Sequence, residues 1–325
     1  ENLYVDGNTG ERAGFWQLGR LSIPQAAAQK KLPGAKGEIA KLASGLDCVD
    51  ALCQAPDGSI YLCDSRLYRI YRWDPVSQTL ALLTSQHFQP LSLACDTQGR
   101  LLVVTEYQPV KGSTVDGVEE LSTDEFGADT GGGCYYPFFS HDRRIRVCAL
   151  DPRAPEAYME LLPIVPLEEA KPEVLYYPAN QWRDSGDMMR SFEKRDTHCY
   201  LAPDGKTAIV HKPALARATG LTPLRPGKAA YLVDEYNKCI VQVQVEEGFV
   251  LSNPRVWAER GEYGFAMTES GEAYVPDCLL YVFRNGEKVD AIGLGDRPAC
   301  VLEAGPDKEY LYITARRELY ALRLK

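Results

Sequence analysis

Apolar and polar positions along the chain fall into one recurring unit: a polar turn carrying glycine, then an apolar run, then a charge. It appears as APDGSIYLCD (55–64) and DTQGRLLVVTE (96–106) and returns as APDGKTAIVHK (202–212) and RPGKAAYLVDE (225–235). It closes with TESGEAYVPD (268–277) and GPDKEYLYITA (305–315), where Lys308 takes the glycine position. Each copy predicts two antiparallel strands joined by a tight turn, because Asp-Gly and Ser-Gly supply the backbone angles such turns need. A third strand follows in RIYRWD (69–74), RIRVCALD (144–151), CIVQVQV (239–245) and LLYVFRNG (279–286), whose side chains alternate in the strand manner. Three or four strands recurring about every forty residues are the signature of a propeller blade.

The expected architecture is therefore all-β: a six-bladed β-propeller with long loop insertions and one or two short helices, in a single domain over 1–325. Residues 1–40 form an N-terminal extension and closing segment. The repeat spacing is regular at both ends and poor in the middle. Too many residues separate Gly99 from Gly205 for one blade, and too few separate Gly205 from Gly227, so one blade is expected to be degenerate. Two stretches break the pattern, 111–142 and 152–195, and read as insertions; long loops in compact domains tend to be functional or disordered. Short helices are expected over 24–31 and 187–194, the second capped by Ser185 or Asp187.

Composition narrows the functional classes. With 325 residues, a net charge of −9 and 45% hydrophobic residues, the chain is long enough for a large core. It lacks the basic excess that neutralises phosphates, which argues against nucleic acid. No apolar run approaches the roughly 20 residues of a membrane helix, so no membrane partner is expected. The ten cysteines form no CxxC pair, which argues against a zinc site of that type. They read as reduced thiols, which favours the cytoplasm; a start at Glu1 rather than Met keeps a secreted or periplasmic setting open. The chain has no GxSxG elbow and no HExxH, and Gly131–Gly133 have neither the feeding strand nor the Lys-Ser of a phosphate loop. Oligomeric state is not legible.

Several segments resemble the gluconolactonase/regucalcin (senescence marker protein-like) β-propeller family. They are LASGLDCVDALCQAPDGSIYLCDSRLYRIYRWDP, LSLACDTQGRLLVVTE, YGFAMTESGEAYVPDCLLYVFRNG and RPACVLEAGPDKEYLYITARRELYALRL. The resemblance covers about two-thirds of the chain on the repeat pattern of such folds. It implies one divalent cation, calcium or zinc, at the end of the central channel, and hydrolysis of sugar lactones or related esters. A hard cation polarises a carbonyl and acidifies bound water. The implied ligand positions depart from the family's pattern. Asp50 stands at the Glu position, Leu91 within Pro90-Leu91-Ser92 where Asn is usual, Thr197 at the next Asn and Tyr263 at the Asp.

Candidate site residues follow, each with a plainer reading beside it. Asp50 and Glu262 are the metal-ligand candidates; Asp50 also reads as a strand-end carboxylate, and Glu262 is one residue out of register, which turns a strand side chain to the other face. Asp196 and His198 are the catalytic candidates, a ligand and a general base; His198 equally reads as a structural histidine beside a strand. Asn180, Trp182 and Arg183 could orient a substrate from the second insertion, Arg by two-point binding of a carboxylate and Trp by stacking on a sugar ring, or could pin the loop. Tyr263 lines the channel or packs between blades. Arg297 reaches the channel or closes the ring. The expected activity is that of a divalent-metal-dependent hydrolase of the lactonase type, acting on a small, sugar-derived molecule. The alternative is a degenerate propeller that binds a carbohydrate or metabolite without hydrolysing it; an acidic loop over 116–129 leaves a protein-interaction role as a third reading.

Overall fold

The computed structural model describes residues 32–85, 90–95, 99–105, 146–155, 160–162, 164–166, 177–178, 198–201, 208–211, 218–222, 225–234, 237–247, 251–261 and 264–325. The first strand, β1 (Ile39–Ser44), is held by the far end of the chain. The first sheet is β2 (Val49–Gln54), β3 (Ile60–Asp64), β4 (Arg69–Asp74) and β5 (Thr79–Ser85). The second is β6 (Pro90–Cys95), β7 (Leu101–Thr105), β8 (Arg146–Leu150) and β9 (Glu160–Leu162). The third contains β10 (Ile164–Pro166), β11 (Tyr177–Pro178), β12 (His198–Leu201) and β13 (Ala208–His211). The fourth is β14 (Ala218–Leu221), β15 (Ala229–Asp234), β16 (Cys239–Val245) and β17 (Leu251–Ala258). The fifth is β18 (Ala266–Met267), β19 (Glu272–Pro276), β20 (Leu280–Arg284) and β21 (Glu287–Ile292). In the closing sheet, β22 (Cys300–Ala304), β23 (Tyr310–Ala315) and β24 (Glu318–Arg323) are completed by β1.

Five of these six four-stranded sheets are regular blades, antiparallel throughout. The expectation of six blades, one of them degenerate, is corrected to five, because the third sheet is not built as a blade. Its order is β10-β13-β12-β11, and β10 runs parallel to β13. The cause lies in the chain: among the described residues, the next strand after the β12–β13 pair is β14, which already opens the next sheet. The open edge of β13 is taken instead by β10, which begins two residues after β9 leaves the second sheet. Among the described residues there is no α-helix; the helices expected over 24–31 and 187–194 lie outside them, as do residues 111–142.

The repeat's turn chemistry forms as its sequence requires. Gly58 has φ of 86° and donates its N–H to Ala55 O. Lys308, in the glycine position of the last repeat, adopts φ of 49° and donates to Gly305 O, a left-handed conformation that ordinary residues accept at a cost.

Apolar layers fill the spaces between neighbouring sheets. One holds Leu42, Ile60, Trp73, Tyr312 and Leu319 between the closing and first sheets. Another joins the first and second through Ala51, Ile70, Leu93 and Val103. A third joins the fifth and closing sheets through Leu280, Leu311 and Ile313, and a fourth joins the fourth and fifth through Val233, Ile240 and Phe283. The leading strand β2 lies against β6 and against β22, and β18 lies against β22. Sheets packed face to face with leading strands innermost are a propeller arrangement.

Candidate functional site

An antiparallel meander puts its lead-in segments and its second-to-third-strand turns at one end. Of the functional candidates, Asp50 and Arg297 lie at that end. It is also where the inner strands are irregular. In β2 the pairing shifts between Val49 and Ala51, which leaves Asp50 as the extra residue of a bulge. In β6 the shift falls between Pro90 and Ser92, leaving Leu91, and in β14 it leaves Gly220 between Thr219 and Leu221. Bulges at the head of a strand re-aim a side chain and are frequent beside active sites. Asp50 and Leu91 therefore hold one register position in adjacent blades.

Around these bulges the end is tied together by buried polar groups. Asp64, fully buried at the end of β3, accepts N–H bonds from Asp47 (3.0 Å), Cys48 (3.2 Å) and Leu67 (3.0 Å). It thereby fixes both the lead-in to β2 and the turn after β3. Burial is the largest influence on its carboxyl and pushes it above the usual carboxylate range, against the pull of those three N–H groups. Asp234 ends β15 in the same way: Asn237 donates its N–H at 3.0 Å and its side-chain amide at 2.7 Å. The turn after β23 reaches across to the first sheet, with Arg316 O accepting from Val49 N and Arg317 O from Leu46 N. The residue just before Asp50 is thus fixed from both sides.

The fifth sheet uses side chains for the same task. Asp277, just beyond β19, accepts from Arg260 Nη1 at 2.5 Å and from Arg297 Nη2 at 3.3 Å, while its carbonyl accepts from Arg297 Nε at 3.3 Å. The Arg260 guanidinium lies 4.2 Å from the centre of the Tyr281 ring, a cation–π contact. Gly261 beside it packs on the backbone of Cys239: a Cβ there would stand 3.2 Å from its carbonyl carbon.

Of the residues singled out from sequence, Asp50 lies at the bulge, with its side chain outside the described set, and Arg297 lies at the same end, paired with Asp277. His198 opens β12, which has partners on both sides, β11 and β13, whereas the leading strands of the regular blades are edge strands. Asn180, Trp182, Arg183, Asp196, Thr197, Glu262 and Tyr263 lie outside the described residues. Sequence reasoning missed Asp64, Arg260 and Asp277. For Asp64 and Asp277 the signal was the charge that ends the repeat, whose partners are set only by the fold. Among the described residues no three His, Cys, Asp or Glu side chains gather as a metal-ligand group.

No protein-family model matches the chain, and no curated protein matches its sequence. Solved structures do. A gluconolactonase from Xanthomonas campestris, described as important in glucose secondary metabolic pathways, superposes with a TM-score of 0.60 at 15% identity, over 94% of this chain and 99% of its own. A regucalcin from Agrobacterium tumefaciens, described as a calcium-binding protein, gives 0.55 at 11% identity over 86% and 90%. From nearly one end to the other, the chain shares the β-propeller fold of the gluconolactonase and regucalcin structures.

Proposed function

We propose that the chain is a lactonase-type hydrolase that takes a small sugar-acid lactone or related ester at the end where the inner strands begin. The observation that carries this reading is the place of Asp50 in a fold shared with a gluconolactonase: it is the extra residue of the bulge that opens β2. Asp50 and Glu262 are the carboxylates that would hold one divalent cation, calcium or zinc, and hard oxygen donors favour calcium. Such an ion supplies Lewis-acid polarisation of the lactone carbonyl. Asp196 and His198 are the proposed source of the general base. Asn180, Trp182, Arg183 and Tyr263 orient the sugar. Arg297, held by Asp277, borders the site.

A second reading, binding without hydrolysis, is favoured by Leu91. It occupies the bulge position of the adjacent blade and offers neither a ligand nor a hydrogen bond.

Elemental analysis, thermal melts with calcium, zinc and chelator, and a lactone and ester panel test the proposal. One equivalent of metal, a melt that falls on chelation and lactone turnover are expected. Asp50→Ala should lower turnover at least about 100-fold and abolish the metal-dependent shift, with the melt of the chelated protein unchanged. Metal-free protein with no turnover overturns the proposal; a melt then raised by sugar acids supports the second reading.

A further inference from the structure

The inner strands carry two thiols that the proposed reaction does not use. Cys53, near the end of β2, and Cys95, the last residue of β6, meet in the apolar layer between the first and second sheets. Their Sγ atoms are 3.6 Å apart, and 42 residues separate them along the chain. Cys53 is 7% exposed, whereas Cys95 is partly exposed. No disulfide joins the described cysteines. The nearby Cys63 directs its Sγ at Pro90 O, 3.6 Å away. A disulfide needs the sulfurs about 2.05 Å apart, a closure of roughly 1.5 Å between strands that already pack together.

We propose that Cys53 and Cys95 form a disulfide that staples the two inner strands when the protein meets a low-molecular-weight disulfide of the oxidised glutathione type. Cys95, the more accessible thiol, loses its proton and attacks one sulfur of the reagent. This forms a mixed disulfide and expels the first glutathione as thiolate. Cys53 then attacks the Cys95 sulfur and expels the second. Two protein thiols are oxidised to one disulfide, one reagent disulfide is reduced to two thiols, and the two protons pass to the departing thiolates. Burial pushes the Cys53 thiol well above its ordinary value, so Cys53 suits the second, intramolecular step, where proximity replaces thiolate abundance.

The test is to incubate the native full chain with oxidised glutathione, then map peptides without reduction and record melts. The expected result is a linked Cys53–Cys95 peptide in a protein lighter by two hydrogens, with a melting temperature raised by about 5 °C and restored by reductant. Cys53→Ser should instead keep a glutathione adduct on Cys95, and its reduced form should melt within about 2 °C of the parent. A parent protein that keeps a stable adduct on Cys95, that links Cys95 to a different cysteine, or that takes up nothing overturns the proposal.

Discussion

Asp64 and Asp277 occupy corresponding turns in two blades and are secured by different means. Asp64 lies out of solvent and is held by three backbone N–H groups from the lead-in and the turn of its own blade. Asp277 keeps 18% of its side chain exposed and is held by two arginines from the segments before β18 and before β22. One carboxylate locks a blade internally; the other ties successive lead-in segments together. A strand-end acid can thus be a buried fastener or a half-wet clamp, and only its partners tell which.

The sharpest way to break this comparison is Asp64→Ala. It strands three N–H groups in a site shut from water and should cost about 4 kcal/mol, read as a lowered urea midpoint. Next in size is a pH effect. A carboxyl whose folded pKa is raised contributes fully below its unfolded value, about 3.9, and loses that contribution as pH rises through the folded value. The stability gap between the parent and Asp64→Asn should therefore be widest below about pH 4 and narrow toward neutrality, measured by denaturant titration across pH. Asp277→Ala should cost only about 1 kcal/mol, because Arg260 and Arg297 are 40% and 38% exposed and solvent screens them. That loss should shrink in high salt, whereas the Asp64 loss should not. Smallest of all, Arg153→Ala removes a wholly surface pair with Asp151 and should leave the melt unchanged.

Much of the fold was legible because the blade turn is local chemistry. Gly58, Gly99, Gly227 and Gly271 all adopt positive φ, and Lys308 does so where the repeat places it in glycine's stead. The strands RIYRWD and CIVQVQV form over the stretches their alternation marks. The third sheet was legible only as a shortage of residues between Gly205 and Gly227. That its open edge is filled by a parallel strand from earlier in the chain is a long-range pairing with no local signal. The site divides likewise: Asp50 stands within the same local repeat as Gly58, though its bulge shows only in the pairing, while the clamp of Arg260, Asp277 and Arg297 joins residues from three separate segments.

The closure of the last sheet by β1 has a consequence for how the chain comes into being. β1 is made long before its partner β24, since Ile39 pairs with Leu322. At ribosomal rates of roughly 5–20 residues per second, β1 spends on the order of half a minute without its neighbour. A strand left waiting with an open edge is a hazard, and a lysine in its middle is a known guard against pairing with the wrong chain. In IAKLAS that guard is Lys41, and on closure the same ammonium is turned to Glu318 and lies 5.6 Å from the centre of the Tyr320 ring. The residue that keeps the newborn strand solitary becomes part of the latch when the ring is shut.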